Sequence, residues 1–377
     1  MRSVLPFRSL TVAFACILGL AIFPLGIGAQ EVDMERHITL TVKKGATIVL
    51  SLSGLQNNTL VRIVSGKTDF TTSVDSTIED VKRRIDAKAS TMTIYGRVSH
   101  LNCSNNGENI TALDVSHNEL IFGLDCHSNQ IASLDVSHNE LLTVLICHKN
   151  QLSSLDVSHN KLLFGLVCHS NRLTSLNVGK NTSISSIDCS NNRLTSLDVS
   201  NNPDLNTLLC HTNRLTSLDV SRNTRLEGLY CYNNQIASLN LRNNQALAQL
   251  HCHNNRLTSL DVSRNPELKA VDCSGNQLTA LDVSTNSQLT VAFCWGNRLS
   301  TDAWNRFFCS LSDRSYMPNE QIIYPLDNRS DSQKPQVLAA NGNIAKRKGW
   351  EVSYYSEGKD TPITGFTGSY QCTKIYK

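Results

Sequence analysis

Nine cysteines at a fixed interval, with a tenth close before them, are the first residues in this 377-residue chain that suggest chemistry. Cys126, Cys147, Cys168, Cys189, Cys210, Cys231, Cys252, Cys273 and Cys294 follow one another at steps of 21 residues, and Cys103 precedes them by 23. Thiols can form disulfides, hold soft metals or pack as small apolar groups. Histidines share the interval. His127, His148 and His169 each follow a cysteine, and His117, His138 and His159 recur at a second position. Imidazoles about 5 Å apart in neighbouring coils could share zinc or copper. Duplication of a solvent-facing histidine gives the same pattern and is the preferred reading, so no metal or other cofactor is expected. Aspartates form a third column, Asp114, Asp135, Asp156, Asp198, Asp219, Asp261 and Asp282, completed by Asn177 and Asn240. Calcium between coils would suit stacked carboxylates. Hydrogen bonds to nearby backbone suit them equally, and they accommodate the two asparagines better. Hydrolase, metalloprotease, phosphate-loop and C-x-x-C motifs are absent from the sequence.

The element that positions these residues is a coil. One unit reads L-x-x-L-x-C-x-x-N-x-L-x-x-L-D-V-S-x-N-x-x, and the leucine of Leu-Asp-Val-Ser recurs without slippage from Leu113 to Leu281. Within L-x-C the period of two points leucine and cysteine to the same side of a short strand. A single coil cannot bury its apolar side alone, so neighbours must stack to complete a core. The two asparagines of each unit can satisfy backbone groups at the bends. Stacked cysteines have Cα atoms near disulfide distance, but their Cβ vectors run parallel. The ladder is therefore read as reduced, packing thiols. Cys309 and Cys372 stand outside it, available to pair with each other or to stay free.

Residues alternating with the inward leucine and cysteine form the exposed strand face. One column precedes each cysteine: Asp125, Ile146, Val167, Asp188, Leu209, Tyr230, His251, Asp272 and Phe293. The other follows it: His127, His148, His169, Ser190, His211, Tyr232, His253, Ser274 and Trp295. Exposed aromatic and aliphatic residues on a rigid frame are what binding hot spots use. The partner-binding candidates are Ile146, Val167, Leu209, Tyr230, Tyr232, His251, Phe293 and Trp295. The competing reading is that these side chains only shield the sheet.

The unit resembles the 21-residue repeat of internalin-related bacterial surface proteins of the cysteine-ladder type, over about Ile94 to Leu299. That resemblance implies a right-handed leucine-rich-repeat solenoid with a concave parallel sheet, and roles in adhesion or host interaction. The chain departs from the family after residue 300, where no cell-wall sorting signal or type IX secretion domain is recognised.

The expected class is an α/β repeat solenoid dominated by β, with a β-rich N-terminal cap and an α/β C-terminal cap. Residues 1–29 read as a signal peptide: Arg2 and Arg8, an apolar run from Leu10 to Ile27 broken by Pro24, then Gly28 and Ala29. An uncleaved anchor is disfavoured by Pro24 and the glycines, and lipidation at Cys16 by the run continuing past it. No later stretch is long enough to span a bilayer. Residues 30–96 form the first cap, with strands at 38–42, 47–52 and 91–95 and a helix from Thr77 to Lys88. Residues 97–299 hold ten coils. Residues 300–377 form the second cap. It begins with a helix capped by Thr301 or Asp302 that carries Ala303, Trp304, Phe307, Phe308 and Leu311. A strand at 321–324, a helix from Val337 to Lys348, a strand at 350–355 and a loosely held tail after Glu357 follow.

The net charge of +3 falls to about +1 without Arg2 and Arg8, which argues against a nucleic-acid partner. The favoured reading is a secreted or cell-surface binding protein, not an enzyme, that engages a protein or glycan on another cell or in the matrix. The alternative is a structural envelope or biofilm-matrix protein assembling by lateral or end contacts. A third reading, an enzyme built in residues 313–377, is opposed by the shortness of that segment.

Overall fold

A computed structural model describes residues 31–77, 82–316, 321–327, 332–356 and 360–372. The expected signal segment, 1–29, lies outside them. The chain divides into two compact units, Arg2–Arg193 and Leu194–Lys377.

The first unit begins with eight strands: β1 (His37–Val42), β2 (Thr47–Gly54), β3 (Thr59–Ser65), β4 (Thr68–Val74), β5 (Arg83–Asp86), β6 (Thr91–Tyr95), β7 (Val98–Asn102) and β8 (Ile110–Asp114). β4, β3, β6, β1 and β8 make one sheet in that order. β2 pairs antiparallel with β5 and with β7, and β7 pairs parallel with β9 (Gly123–Asp125). The N-terminal strands thus run directly into the repeat sheet through β2. The helix expected over Thr77 to Lys88 is not formed at its C-terminal end, where Arg83–Asp86 is a strand; Ile78 to Val81 lie outside the described residues. Ile85 is buried while Arg84 and Asp86 are exposed, an alternation of two that β2 captures by pairing.

Three-residue strands then recur at each coil. β9, β10 (Val144–Ile146), β11 (Gly165–Val167) and β12 (Ser186–Asp188) pair parallel and in register in the first unit. β13 (Thr207–Leu209), β14 (Gly228–Tyr230), β15 (Gln249–His251), β16 (Ala270–Asp272) and β17 (Val291–Phe293) do so in the second. The fold is a β-solenoid. Its core is the inward column of leucine-type residues and cysteines, all essentially inaccessible.

Two asparagines per coil stitch the stack. Asn150 Nδ2 donates to the carbonyls of Cys126 and Cys147, at 3.0 and 3.1 Å, and its Oδ1 accepts from the Ile131 amide at 3.0 Å. One side chain therefore satisfies backbone in two successive coils at the bend where the strand ends. The bend itself needs a left-handed residue, and Ser128, Lys149, Ser170 and Asn191 supply it at φ between 51° and 56°. Asn139 and its equivalents do the same for the return, bonding the carbonyls of Val115 and Asn118. At the N-terminal end Asn106 clamps Val49 of β2 in the same way.

The second unit ends in α1 (Thr301–Ser310), β18 (Gln321–Asp327), α2 (Lys334–Ala339), α3 (Asn343–Arg347), β19 (Trp350–Tyr355) and β20 (Thr361–Pro362). α1 starts one residue earlier than expected, because the Ser300 side chain accepts from the Ala303 amide. Trp304, Phe307 and Phe308 are fully buried beneath it. β18 and β19 extend the parallel sheet from β17. The single helix expected over Val337 to Lys348 is two helices. Asn305 of α1 takes the Asn341 amide at 2.8 Å, and the Phe366 ring occupies the space where Gly342 would carry a Cβ. The tail is held, not loose. β20 pairs with β19, Ile363 is buried, Phe366 packs edge-on against Phe308, and Cys372 forms a disulfide with Cys309.

Candidate functional site: the outward strand face

Parallel strands in register lie about 4.8 Å apart, within the range of offset aromatic stacking. Equivalent side chains of successive coils therefore stack. His127, His148 and His169 do so with ring centroids 4.3 and 4.1 Å apart. In the second unit His211, Tyr232 and His253 stack at 4.1 and 4.2 Å, and Tyr230 stacks on His251 at 4.8 Å.

Stacking changes the exposure expected of three candidates. Val167, Leu209 and Tyr230 are 5%, 7% and 8% exposed, so they are buried, not open. Val167 sits in register between Ile146 and Asp188, and Tyr230 between Leu209 and His251, so each is covered on both sides. The Tyr230 ring also leans back over Gly228, where a Cβ would meet Cε2 at 3.1 Å. Ile146, Tyr232, His251, Phe293 and Trp295 remain half-exposed.

The face is richest in aromatic surface where β17 meets β18 and β19. Phe293 stacks on Tyr324 at 4.6 Å, Tyr355 stands edge-on to both, and Trp295 lies parallel to Tyr355 at 6.2 Å. The Tyr324 hydroxyl donates to Asp360 at 2.8 Å, and burial together with that carboxylate pushes its pKa up. Tyr324 and Tyr355 were not among the residues picked from sequence. The strand expected at 321–324 carried the signal, because continuing the sheet places Tyr324 opposite Phe293.

The electrostatics are those of a half-buried stack. Burial, reinforced by His169 and His127, drives the His148 pKa down to about 3. Burial lowers His169 and His251 as well. It raises Asp188, which lies 4.0 Å from His169. The stacked trio His127, His148 and His169 shares no convergent point: parallel rings present their nitrogens side by side. Among the described residues, the three groups whose ligand atoms do converge are His251, His253 and Asp272.

Beneath the face the ten ladder cysteines are buried thiols, not disulfides. Burial raises the thiol pKa of Cys147 and Cys231 to about 12. On the return side, Asp114, Asp135 and Asp156 each accept from the amide two residues on, as do Asp198, Asp219, Asp261 and Asp282 in the second unit. Asn177 and Asn240 make the same bond. Local turns account for this column, as the hydrogen-bonding reading requires.

No family model and no curated protein matches the chain. Among solved structures it is similar to the functional domain of InlJ from Listeria monocytogenes, which includes a cysteine ladder. The identity is 29%, with 71% of this chain and 62% of that one covered, at a TM-score of 0.50. The chain thus spans less than two thirds of that protein's length. A leucine-rich-repeat protein of Leptospira interrogans is 24% identical over 52% of this chain and 54% of its own, at a TM-score of 0.49. The internalin InlF of Listeria monocytogenes is 19% identical over 56% and 78%, at 0.39. Among the described residues no helix is long and apolar enough to cross a membrane. With 21-residue coils, parallel strands in register and a buried thiol in each coil, this chain is a leucine-rich-repeat solenoid similar to the cysteine-ladder domain of InlJ.

Proposed function

We propose that this chain is an exported or cell-surface interaction protein that binds a protein partner on another cell or in the matrix through its outward strand face; a surface glycan is the second ligand class. The fold supports a protein-interaction repeat protein, and the segment 1–29 motivates export. The observation that carries the choice of face is the cluster of Phe293, Trp295, Tyr324 and Tyr355, four rings held on one rigid sheet. Pre-positioned aromatic surface lowers the ordering cost of binding and is where interfaces concentrate their energy. The reading is of a binder and not of an enzyme, since the periodic histidines and aspartates serve stacking and turns.

The test is capture of ligands from the surfaces of co-cultured cells on immobilised chain. It compares the wild type with a variant carrying Tyr232→Ala, Trp295→Ala and Tyr355→Ala. A partner lost by the variant, while its thermal unfolding stays unchanged, supports the face. A partner retained equally by both takes binding elsewhere.

A further inference from the structure

We propose that His251, His253 and Asp272 form a binding site for a divalent transition-metal ion of the zinc class. His251 and His253 flank Cys252 at the end of β15, so a period of two sets both rings on the outward face. Asp272 lies opposite His251 in the register of β15 with β16. A ring nitrogen of each histidine and a carboxylate oxygen of Asp272 all lie within 4.8 Å of one another. This is a mixed nitrogen–oxygen set of the type zinc accepts with a fourth position left to solvent.

Three further observations separate this cluster from an ordinary polar patch. First, its groups are held in orientation. Asp272 Oδ1 accepts from the Ser274 hydroxyl at 2.6 Å and from the Ser274 amide at 3.1 Å, which leaves Oδ2 for the histidines. Tyr230 and Tyr232 stack on the two imidazoles within 10° of parallel and fix their planes. Supporting groups of this kind are what metal ligands require.

Second, two of the ring nitrogens make no hydrogen bond. His251 Nε2 and His253 Nδ1 are buried without a hydrogen bond. His253 Nδ1 stands 3.0 Å from Asp272 Oδ2, but off the line of a hydrogen bond. Two ligands bound to one zinc at about 2.0–2.2 Å sit roughly 3.4 Å apart, so an ion needs that 3.0 Å edge to open by only about 0.4 Å. The His251 nitrogen, within 4.8 Å of both, supplies the third corner. Binding an ion would satisfy two nitrogens that otherwise carry a desolvation cost.

Third, the molecule holds its own contrast. The trio His127, His148 and His169 has more histidines, stacked at 4.3 and 4.1 Å, yet is not a convergent group. Convergence at His251 comes from taking two ligands from one coil and the third from the next.

The experiment uses the whole chain, stripped with a chelator and titrated with Co2+ and then Zn2+. The expected result is one Co2+ per chain, with the visible absorption of a low-coordinate ion that Zn2+ displaces. His253→Ala and Asp272→Asn should each remove that signal. Ser274→Ala should weaken binding by about tenfold by releasing Asp272. His148→Ala should leave the signal unchanged. Asp272→Asn keeps an acceptor for Ser274, and so carries the test if His253→Ala unfolds, as judged by circular dichroism. Absence of a one-to-one complex, a signal that survives both ligand variants, or its loss in His148→Ala would each overturn the proposal.

Discussion

His148 lies between two other imidazoles, and burial there drives its pKa to about 3. The unfolded chain has no such barrier, and its histidines take protons below a pH of about 6.5. His148, His169, His251 and His100 all have lowered folded values, so below that pH the unfolded state binds more protons than the folded one. The sign follows: stability is complete above about 6.5 and falls as pH falls. The melting temperature, followed by circular dichroism from pH 7.5 to 4.5, should drop progressively. His148→Gln should flatten that slope; an unchanged slope would mean that the stack contributes nothing to it. At this scale the sequence is informative about identity and poor about exposure. The columns holding Tyr230 and Val167 can be read from the period alone. Their burial cannot, because it comes from neighbours 21 residues away at ring-stacking distance and, for Tyr230, from the missing side chain of Gly228.

The three-residue strands are too short to persist singly, and their stability comes from what joins one coil to the next. The asparagine after each bend is that joint. Asn150→Ala would strand the buried Ile131 amide and remove one of two donors from each of the Cys126 and Cys147 carbonyls, which keep Asn129 and Asn171. One unmade buried amide costs about 1–3 kcal/mol and the two carbonyls are only weakened, so a loss of about 2 kcal/mol is expected in urea unfolding. A change below about 1 kcal/mol would show that solvent reaches those groups. Repetition makes elements of this kind legible: nothing but a coil explains asparagine at a constant offset from cysteine. The terminal elements lack that redundancy. The run from Val337 to Lys348 has helical composition, and only Asn305 and Phe366, distant in sequence, break it at Asn341 and Gly342. The run from Thr77 to Lys88 ends in a strand because β2 offers Arg83–Asp86 an edge to pair with. A tail rich in glycine and threonine reads as loose, yet Ile363, Phe366 and the Cys309–Cys372 bond anchor it.

Across the whole molecule the ladder thiols behave as one titrating set. All ten are buried, and burial raises the pKa of Cys103, Cys126, Cys147, Cys168, Cys189, Cys231, Cys252, Cys273 and Cys294, so the folded chain keeps protons that the unfolded chain releases above a pH of about 8.5. For groups raised on folding, stability is complete below that value and is lost as pH rises. The slope is about 1.4 kcal/mol per pH unit for each thiol exposed in one unfolding step. Thiol titration with a chromogenic disulfide should find the ten ladder cysteines silent in the native chain at pH 8 and all reactive in guanidinium. Rapid native reaction of more than one would place part of the ladder in solvent. The same burial sets a kinetic demand. In any oxidising compartment ten reduced cysteines spaced along one chain can form many wrong pairs, and each must be enclosed before an oxidant reaches it. Coils that close one upon the last as the chain emerges hide their sulfurs in sequence. Cys309 and Cys372, which do pair, come after all ten. Order along the chain thus acts as a timetable: hide first, oxidise last.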